Sequence, residues 1–272
     1  MAIHKPLLRA KSVLAGHDKF PKKMNASLNL LVDFGNSRVK WATSQAGQLS
    51  NQFSLDNDQL SIATLLAQWH CLPEPEYIGL ACVSSPQSLG IAKAAAAVCW
   101  PKAKCVVAHA QAEGFGVRNA YLQPEKLGVD RWLALIAARQ ALQPVCIVDC
   151  GTAITLDLLD GQGQHLGGLI CPGLSLMKQA LSQGTQALAF DSQQFPLQPA
   201  NFTQAAIDSG SLFAAIGLIE ATLARQHNHF QLILTGGDAQ RIGDKLSLGY
   251  TIDKDLVLRG LALLVVKLTL TR

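Results

Sequence analysis

Two short stretches of this 272-residue chain set an aspartate, a glycine and a hydroxyl in the order that phosphate chemistry asks for. The first is Asp33-Phe34-Gly35-Asn36-Ser37 and the second is Asp149-Cys150-Gly151-Thr152. Each follows an apolar run, residues 28–32 and 145–148, that reads as a buried strand, and each precedes a second strand-like run. Glycine lets the backbone approach an anion closely, turn N–H groups and the hydroxyl can donate to its oxygens, and the carboxylate can hold a cation. Either corner alone is equally well explained as a strand end with an Asx-type turn. Their repetition favours phosphate.

Three further motifs lie between and beyond these corners. Gly128-Val129-Asp130-Arg131 sits near the start of a helix-like segment, residues 124–141; alone it reads as an exposed Asp-Arg pair in a first helical turn. Gly167-Gly168-Leu169-Ile170-Cys171-Pro172-Gly173 reads as a loop stiffened by its proline, or as a plain structural turn. Thr235-Gly236-Gly237 ends an apolar strand before a short helix, which suits a nucleotide close to the backbone or a helix start capped by Asp238.

The elements that must position these residues repeat. Residues 39–43 and 48–53 read as a hairpin turned at Gln45-Ala46-Gly47, followed by a helix over 60–69, a strand over 77–82, an Ala-rich helix over 86–99 and a strand over 105–108. After the second corner come strands over 154–159 and 165–170 and helices over 174–181 and 202–225. A strand over 231–234, a short helix, a strand near Tyr250 and a last helix over 255–270 complete the chain. Both halves thus open with strand, D-x-G corner, strand, hairpin and strand. The expectation is a duplicated α/β unit, a mixed sheet in each half, with a cleft between the halves.

Composition narrows the classes. Forty-nine per cent of residues are hydrophobic and 15% charged, which fits a compact soluble protein. The net charge of +4 is uneven: residues 1–27 hold six of the 23 basic side chains and one of the 19 acidic ones. The rest is nearly neutral, so charge gives no reason to expect nucleic-acid binding. The basic leader reads as disordered or as an over-extended start, with a membrane- or nucleic-acid-binding arm as the rival reading. Seven scattered cysteines without a C-x-x-C pair, among dispersed histidines, read as reduced thiols of an intracellular protein and not as a zinc site. The leader lacks a signal-peptide core, and the uncharged run over 161–177 is broken by Gly and Pro, so no membrane span is expected.

With these five motifs in this order, residues 28–272 resemble the type III pantothenate kinases, within the acetate and sugar kinase, heat-shock chaperone and actin superfamily. The resemblance implies duplicated actin-like (ribonuclease H-like) lobes, placed here at 28–143 and 144–272 after the leader, with an active-site cleft between them. It implies ATP-dependent phosphorylation of pantothenate to 4'-phosphopantothenate, the first step of coenzyme A biosynthesis, in a cytoplasmic homodimer with no nucleic-acid or membrane partner. Asp33, Phe34, Gly35, Asn36, Ser37, Arg38, Val39 and Lys40 match an ATP-binding loop in which Asp33 orients Mg²⁺ on ATP and Lys40 offsets phosphate charge; Ser37 stands where the family often has Thr. Thr152, Gly236 and Gly237 match further ATP contacts, and Asp149 a monovalent-cation ligand for K⁺ or NH₄⁺. Tyr121, Gly128, Val129, Asp130 and Arg131 match the pantothenate site, with Asp130 the general base, and Thr185 matches a threonine that reaches pantothenate from the neighbouring subunit. Two alternatives are a non-catalytic transcriptional accessory factor of the same family and an exopolyphosphatase-like phosphohydrolase.

Overall fold

The computed structural model describes residues 27–184 and 192–270. The first half opens with an antiparallel meander of β1 (Leu28–Phe34), β2 (Arg38–Gln45) and β3 (Gln48–Asp56). Ala46 and Gly47 take φ of 52° and 81°, the paired left-handed residues of a two-residue hairpin loop. Helix α1 (Ile62–Trp69) leads to β4 (Tyr77–Cys82), and α2 (Pro86–Cys99) to β5 (Lys104–Val107), both strands parallel to β1. Each helix starts at a serine whose Oγ accepts a backbone N–H, Ser61 from Thr64 and Ser85 from Ser88. A small ribbon of β6 (Glu113–Gly114) and β7 (Val117–Arg118) precedes α3 (Val129–Ala138).

The second half repeats the plan. Strands β8 (Val145–Cys150), β9 (Ala153–Leu159) and β10 (His165–Pro172) form the meander, followed by α4 (Leu174–Gly184) and α5 (Thr203–Ala224). Parallel strands β11 (Gln231–Thr235) and β12 (Tyr250–Ile252) flank α6 (Ala239–Gly243), and α7 (Leu256–Leu270) ends the described residues. The sheets run β3-β2-β1-β4-β5 and β10-β9-β8-β11-β12, the same permutation with β8 in the place of β1. This is the duplicated actin-like α/β fold that the motifs imply.

Strand alternation sorts the side chains into three cores. Leu30, Val32 and Phe34 face outward with Val39 and Trp41 and pack beneath α1 and α2. Cys146, Val148 and Cys150 face outward in the second sheet and pack with residues of α4, α5 and α6. The intervening positions, Leu31 on β1 and Val145 and Ile147 on β8, face inward onto α3 and α7. These two helices therefore form a shared middle layer, and α7, last in the chain, also packs on β1 and β4 of the first sheet.

Two local departures from the sequence reading matter. Residues 124–141 are not one helix. A 3₁₀ turn over Pro124–Lys126 gives way to extended Leu127 and Gly128, and α3 starts only at Val129. The apolar periodicity of 129–138 runs on in both directions and hides this break, which puts Asp130 in a true first turn. The β6–β7 ribbon was also unforeseen, because two-residue strands carry too little pattern. Helix α5 has the length and composition to cross a membrane, yet it carries buried Asp208, Ser209 and Ser211. Asp208 is paired with Lys178 of α4 and Arg241 of α6.

The middle layer depends on a close crossing. A Cβ at Gly260 of α7 would collide with the Leu133 carbonyl of α3. Replacing Gly260 by Ala must move one backbone against the other, an overpacking cost of about 2–3 kcal/mol. Urea unfolding of Gly260→Ala should show a lower midpoint at an unchanged slope.

Candidate functional site

Both corners are pinned at their backbones and meet through their hydroxyls. In the first, Gly35 N–H donates to the Arg38 carbonyl at 3.0 Å, and Asn57 Nδ2 donates to the carbonyls of Gly35 and Asn36, both at 2.9 Å. In the second, Gly173 N–H donates to the Thr152 carbonyl and Asp238 N–H to the Cys150 carbonyl, both at 2.9 Å. These bonds tie the end of β8 to the ends of β10 and β11. Ser37 Oγ and Thr152 Oγ1 then share a hydrogen bond of 2.7 Å across 115 residues of sequence.

Behind the hydroxyls stand three carboxylates and one lysine. Asp33 lies opposite Lys40 in the β1–β2 register, on the inward face with Leu31. Asp149 occupies the matching place on β8, two positions beyond Ile147. Asp130 comes near enough to both for its charge to be felt, from the first turn of α3, where its Oδ1 accepts the Arg131 N–H at 2.8 Å. Loss of water raises all three above the ordinary carboxylate range, and repulsion from neighbouring carboxylates, Asp157 in the case of Asp130, adds to it. Asp33 is pushed up to about 7 by burial, then by Asp130 and Asp149, against the pull of Lys40. Asp149 is pushed up to about 6 by burial and Asp130, again opposed by Lys40. Asp130 is raised by burial, and its bond from Arg131 N–H works the other way.

A second, neutralised cluster adjoins Asp130. Arg131 is 6% exposed and forks onto Asp157 of β9, with Nε to Oδ2 at 2.7 Å and Nη2 to Oδ1 at 2.6 Å. Its Nη1 donates to the Tyr121 hydroxyl at 2.6 Å, and its charge lies 5.4 Å from the Tyr121 ring centre. Buried His165 reaches Asp157 Oδ1 through Nε2 at 2.9 Å. Asp157 is held below its usual range by the hydrogen bonds from His165 and Arg131, which outweigh burial. Gly168 pairs with Asp157 across β9 and β10, and a Cβ there would strike Arg131 Nη2 and Asp157 Oδ1. That close approach is a reason for a glycine at 168.

The remaining predicted residues fall in different places. Phe34 and Val39 belong to the outer core of the first sheet, and Arg38 makes an exposed ion pair with Asp56 at 2.8 Å. Gly236 has φ of 89° and lies so near Asp149 and Cys150 that only glycine fits. Gly237 has open space around its Cα, and Asp238 precedes α6 without a side-chain capping bond. Gly128 is the residue before α3, and Val129 is buried in the middle layer. Thr185 lies outside the described residues. Asn57, Asp157 and His165 were missed. The only signal for the latter two was polarity inside strand runs, a carboxylate in Thr-Leu-Asp-Leu-Leu and a histidine at the head of β10.

Comparison with known proteins adds a family. Residues 29–225 match the sequence profile of the type III pantothenate kinases. A type III pantothenate kinase from Chromobacterium violaceum is 40% identical over 86% of this chain and 98% of its own length. Another, from Nitrosococcus oceani, is 37% identical over 86% of this chain and 92% of its own length. Among solved structures, a Campylobacter jejuni protein described as a Baf family transcriptional activator superposes with a TM-score of 0.58 at 24% identity, over 88% of this chain and 98% of its own. The ethanolamine utilization protein EutJ from Carboxydothermus hydrogenoformans superposes with a TM-score of 0.51 at 10% identity, over 87% of this chain and 89% of its own. At those identities the structural likeness speaks for the fold alone.

The crowded carboxylates predict an unusual pH dependence. A carboxyl held above its ordinary value binds its proton more tightly in the folded chain than in the unfolded one. The stability it contributes is full below the unfolded value and is lost as pH rises, for Asp33 through about 7. Thermal melting of the ligand-free protein should therefore fall between pH 5 and pH 8. Asp33→Asn should flatten that fall; an unchanged slope in the variant would refute the assignment.

Proposed function

We propose how the cleft works from the premise that this chain belongs to the type III pantothenate kinase family and uses ATP to phosphorylate pantothenate. The observation that carries the reading is the meeting of the two corners at Ser37 and Thr152 in front of Asp33, Asp130 and Asp149. Two hydroxyls at 2.7 Å can each turn to donate to a phosphate oxygen that enters between them. The rest of each corner is already held by backbone bonds, so binding ATP orders little else.

Among the described residues no group of three or more His, Cys, Asp or Glu side chains converges to hold a metal by itself. Mg²⁺ keeps waters and is held mostly through nucleotide phosphates with one or two carboxylates. Asp33 is the carboxylate proposed to face it, and the ion would neutralise charge on the transferring phosphoryl group. Lys40 offsets part of the same charge. Gly236 and Gly237 let the nucleotide lie against the backbone at the end of β11.

Asp130 is the proposed general base. It must hold the primary hydroxyl of pantothenate in line with the γ-phosphoryl group and accept its proton as the new P–O bond forms. Phosphoryl transfer passes through a loose transition state, so position matters more than basicity. The bond from Arg131 N–H to Oδ1 sets that position. Asp149 is the proposed ligand for K⁺ or NH₄⁺: a buried anion beside Asp130 gains from a weakly hydrated cation. Gly128, Val129, Arg131 and Tyr121 are the residues proposed for the pantothenate site, Arg131 acting chiefly through Tyr121.

The proposed assembly is a homodimer. Leu169 on edge strand β10, 43% exposed, faces the same side of the sheet as the outer core, and Leu176 of α4 and Phe213 of α5 are further exposed apolar side chains among the described residues. Helix α7, though strongly apolar, lies in the middle layer. Lobes divided at 143/144, with α3 and α7 between the sheets, describe the chain best. Seven unpaired cysteines support a reducing, cytoplasmic setting.

Purified protein with pantothenate, ATP and Mg²⁺ should form 4'-phosphopantothenate, faster with K⁺ present. Absence of product under both conditions would sink the reading. Asp130→Asn should lower kcat about a hundredfold or more, and full activity in it would remove Asp130 from its role. Separately, Phe213→Asp should shift the protein from dimer to monomer in light scattering.

A further inference from the structure

We infer that His165 and Asp157 are positioning residues which, through Arg131, fix the Tyr121 hydroxyl as a hydrogen-bond donor to an acceptor oxygen of pantothenate. The inference rests on the proposal that Tyr121 faces that substrate. It goes further by giving the contact a polarity and naming the groups that impose it.

The polarity follows from donor counting. A guanidinium has only donors, so the bond between Arg131 Nη1 and Tyr121 runs from arginine to the phenol oxygen. The phenol's own proton must then leave that direction and be offered to another partner. Arg131 cannot turn away to relax this, because Nε and Nη2 are both committed to Asp157. Asp157 in turn is held by His165. The Ala120 N–H donates to His165 Nδ1 at 3.3 Å, which places the ring proton on Nε2, aimed at Asp157 Oδ1.

That first bond also closes a ring of contacts. Ala120 adjoins Tyr121, so His165 holds the loop by its backbone while Arg131 holds the same loop by its side chain. Tyr121 N–H is tied to Asn119 Oδ1 at 3.0 Å, and the Tyr121 and His165 rings stack at 6.2 Å with planes 15° apart. Within the ring of contacts the charges of Arg131 and Asp157 cancel. A substrate oxygen at Tyr121 thus meets a fixed O–H dipole, and a substrate donor there finds the phenol oxygen already bonded to Arg131.

Asp157→Asn would leave Arg131 as an uncompensated buried charge, so the test turns on His165 and Tyr121 instead. Steady-state kinetics would be measured for Tyr121→Phe, His165→Phe, His165→Gln and the double variant Tyr121→Phe/His165→Phe. Tyr121→Phe should raise KM for pantothenate about tenfold, the range of one lost hydrogen bond, with a much smaller change in kcat and in KM for ATP. His165→Phe should raise the same KM nearly as much, and the double variant should be no worse than the larger single one. His165→Gln, which can still donate to Asp157, should recover most of the loss. Additive effects in the double variant, or a wild-type pantothenate KM in His165→Phe, would overturn the inference. An unchanged KM in Tyr121→Phe would remove the tyrosine contact and the inference with it, while turnover by the unmodified enzyme still supports the kinase reading. A second measurement does not depend on variants at 165. Site-specific 3-fluorotyrosine at position 121, a stronger donor and weaker acceptor, should lower KM for pantothenate; a rise would overturn the assigned polarity.

Discussion

Three carboxylates held where water is scarce, with one lysine to offset two of them, set the terms for the rest of this molecule. Asp33, Asp149 and Asp130 arrive from two sheets and a helix, and none of them would choose this company in isolation. The free energy that holds them together comes from the cores behind each strand. Phe34 and Val148 are fully buried on the opposite faces of the strands that carry Asp33 and Asp149. A site with surplus negative charge and little solvent is in turn a site that gains from bound cations and polarised donors.

The duplication explains why the arrangement is possible at all. The same five-strand permutation occurs twice, and in each copy the first strand ends in an aspartate on the inward face. Two such faces turned toward one middle layer bring the aspartates to either side of the α3 N-terminus. Asp130 owes its place in the first turn of α3 to the break at Leu127-Gly128, which starts that helix at Val129.

Much of this was readable before any coordinates, and the division is physical. Apolar strand runs, corners with glycine beside a carboxylate, and the apolar helices over 60–69 and 86–99 are local features, so local pattern finds them. Asp157 and His165 were not found because their meaning lies in a partner. Arg131 stands 26 residues before Asp157, on another element, and nothing around Thr155-Leu156-Asp157 announces a guanidinium. Asn57 is similar: one amide 21 residues downstream pins the first corner, and in sequence it is a polar residue after a strand. The over-long helix at 124–141 failed for the opposite reason, since apolar rhythm continued through a stretch whose backbone departs from it.

The placement of α7 bears on how the chain is made. The first sheet is complete by Val107, yet part of its inner face, at Leu31 and Gly79, is covered by α7 side chains that begin at Leu256. A ribosome must therefore add about 160 residues beyond Val107, through α7, before the earliest strands can bury that face. Such distant pairing slows folding and leaves apolar surface open meanwhile. The nascent first half thus keeps that apolar surface exposed until α7 emerges.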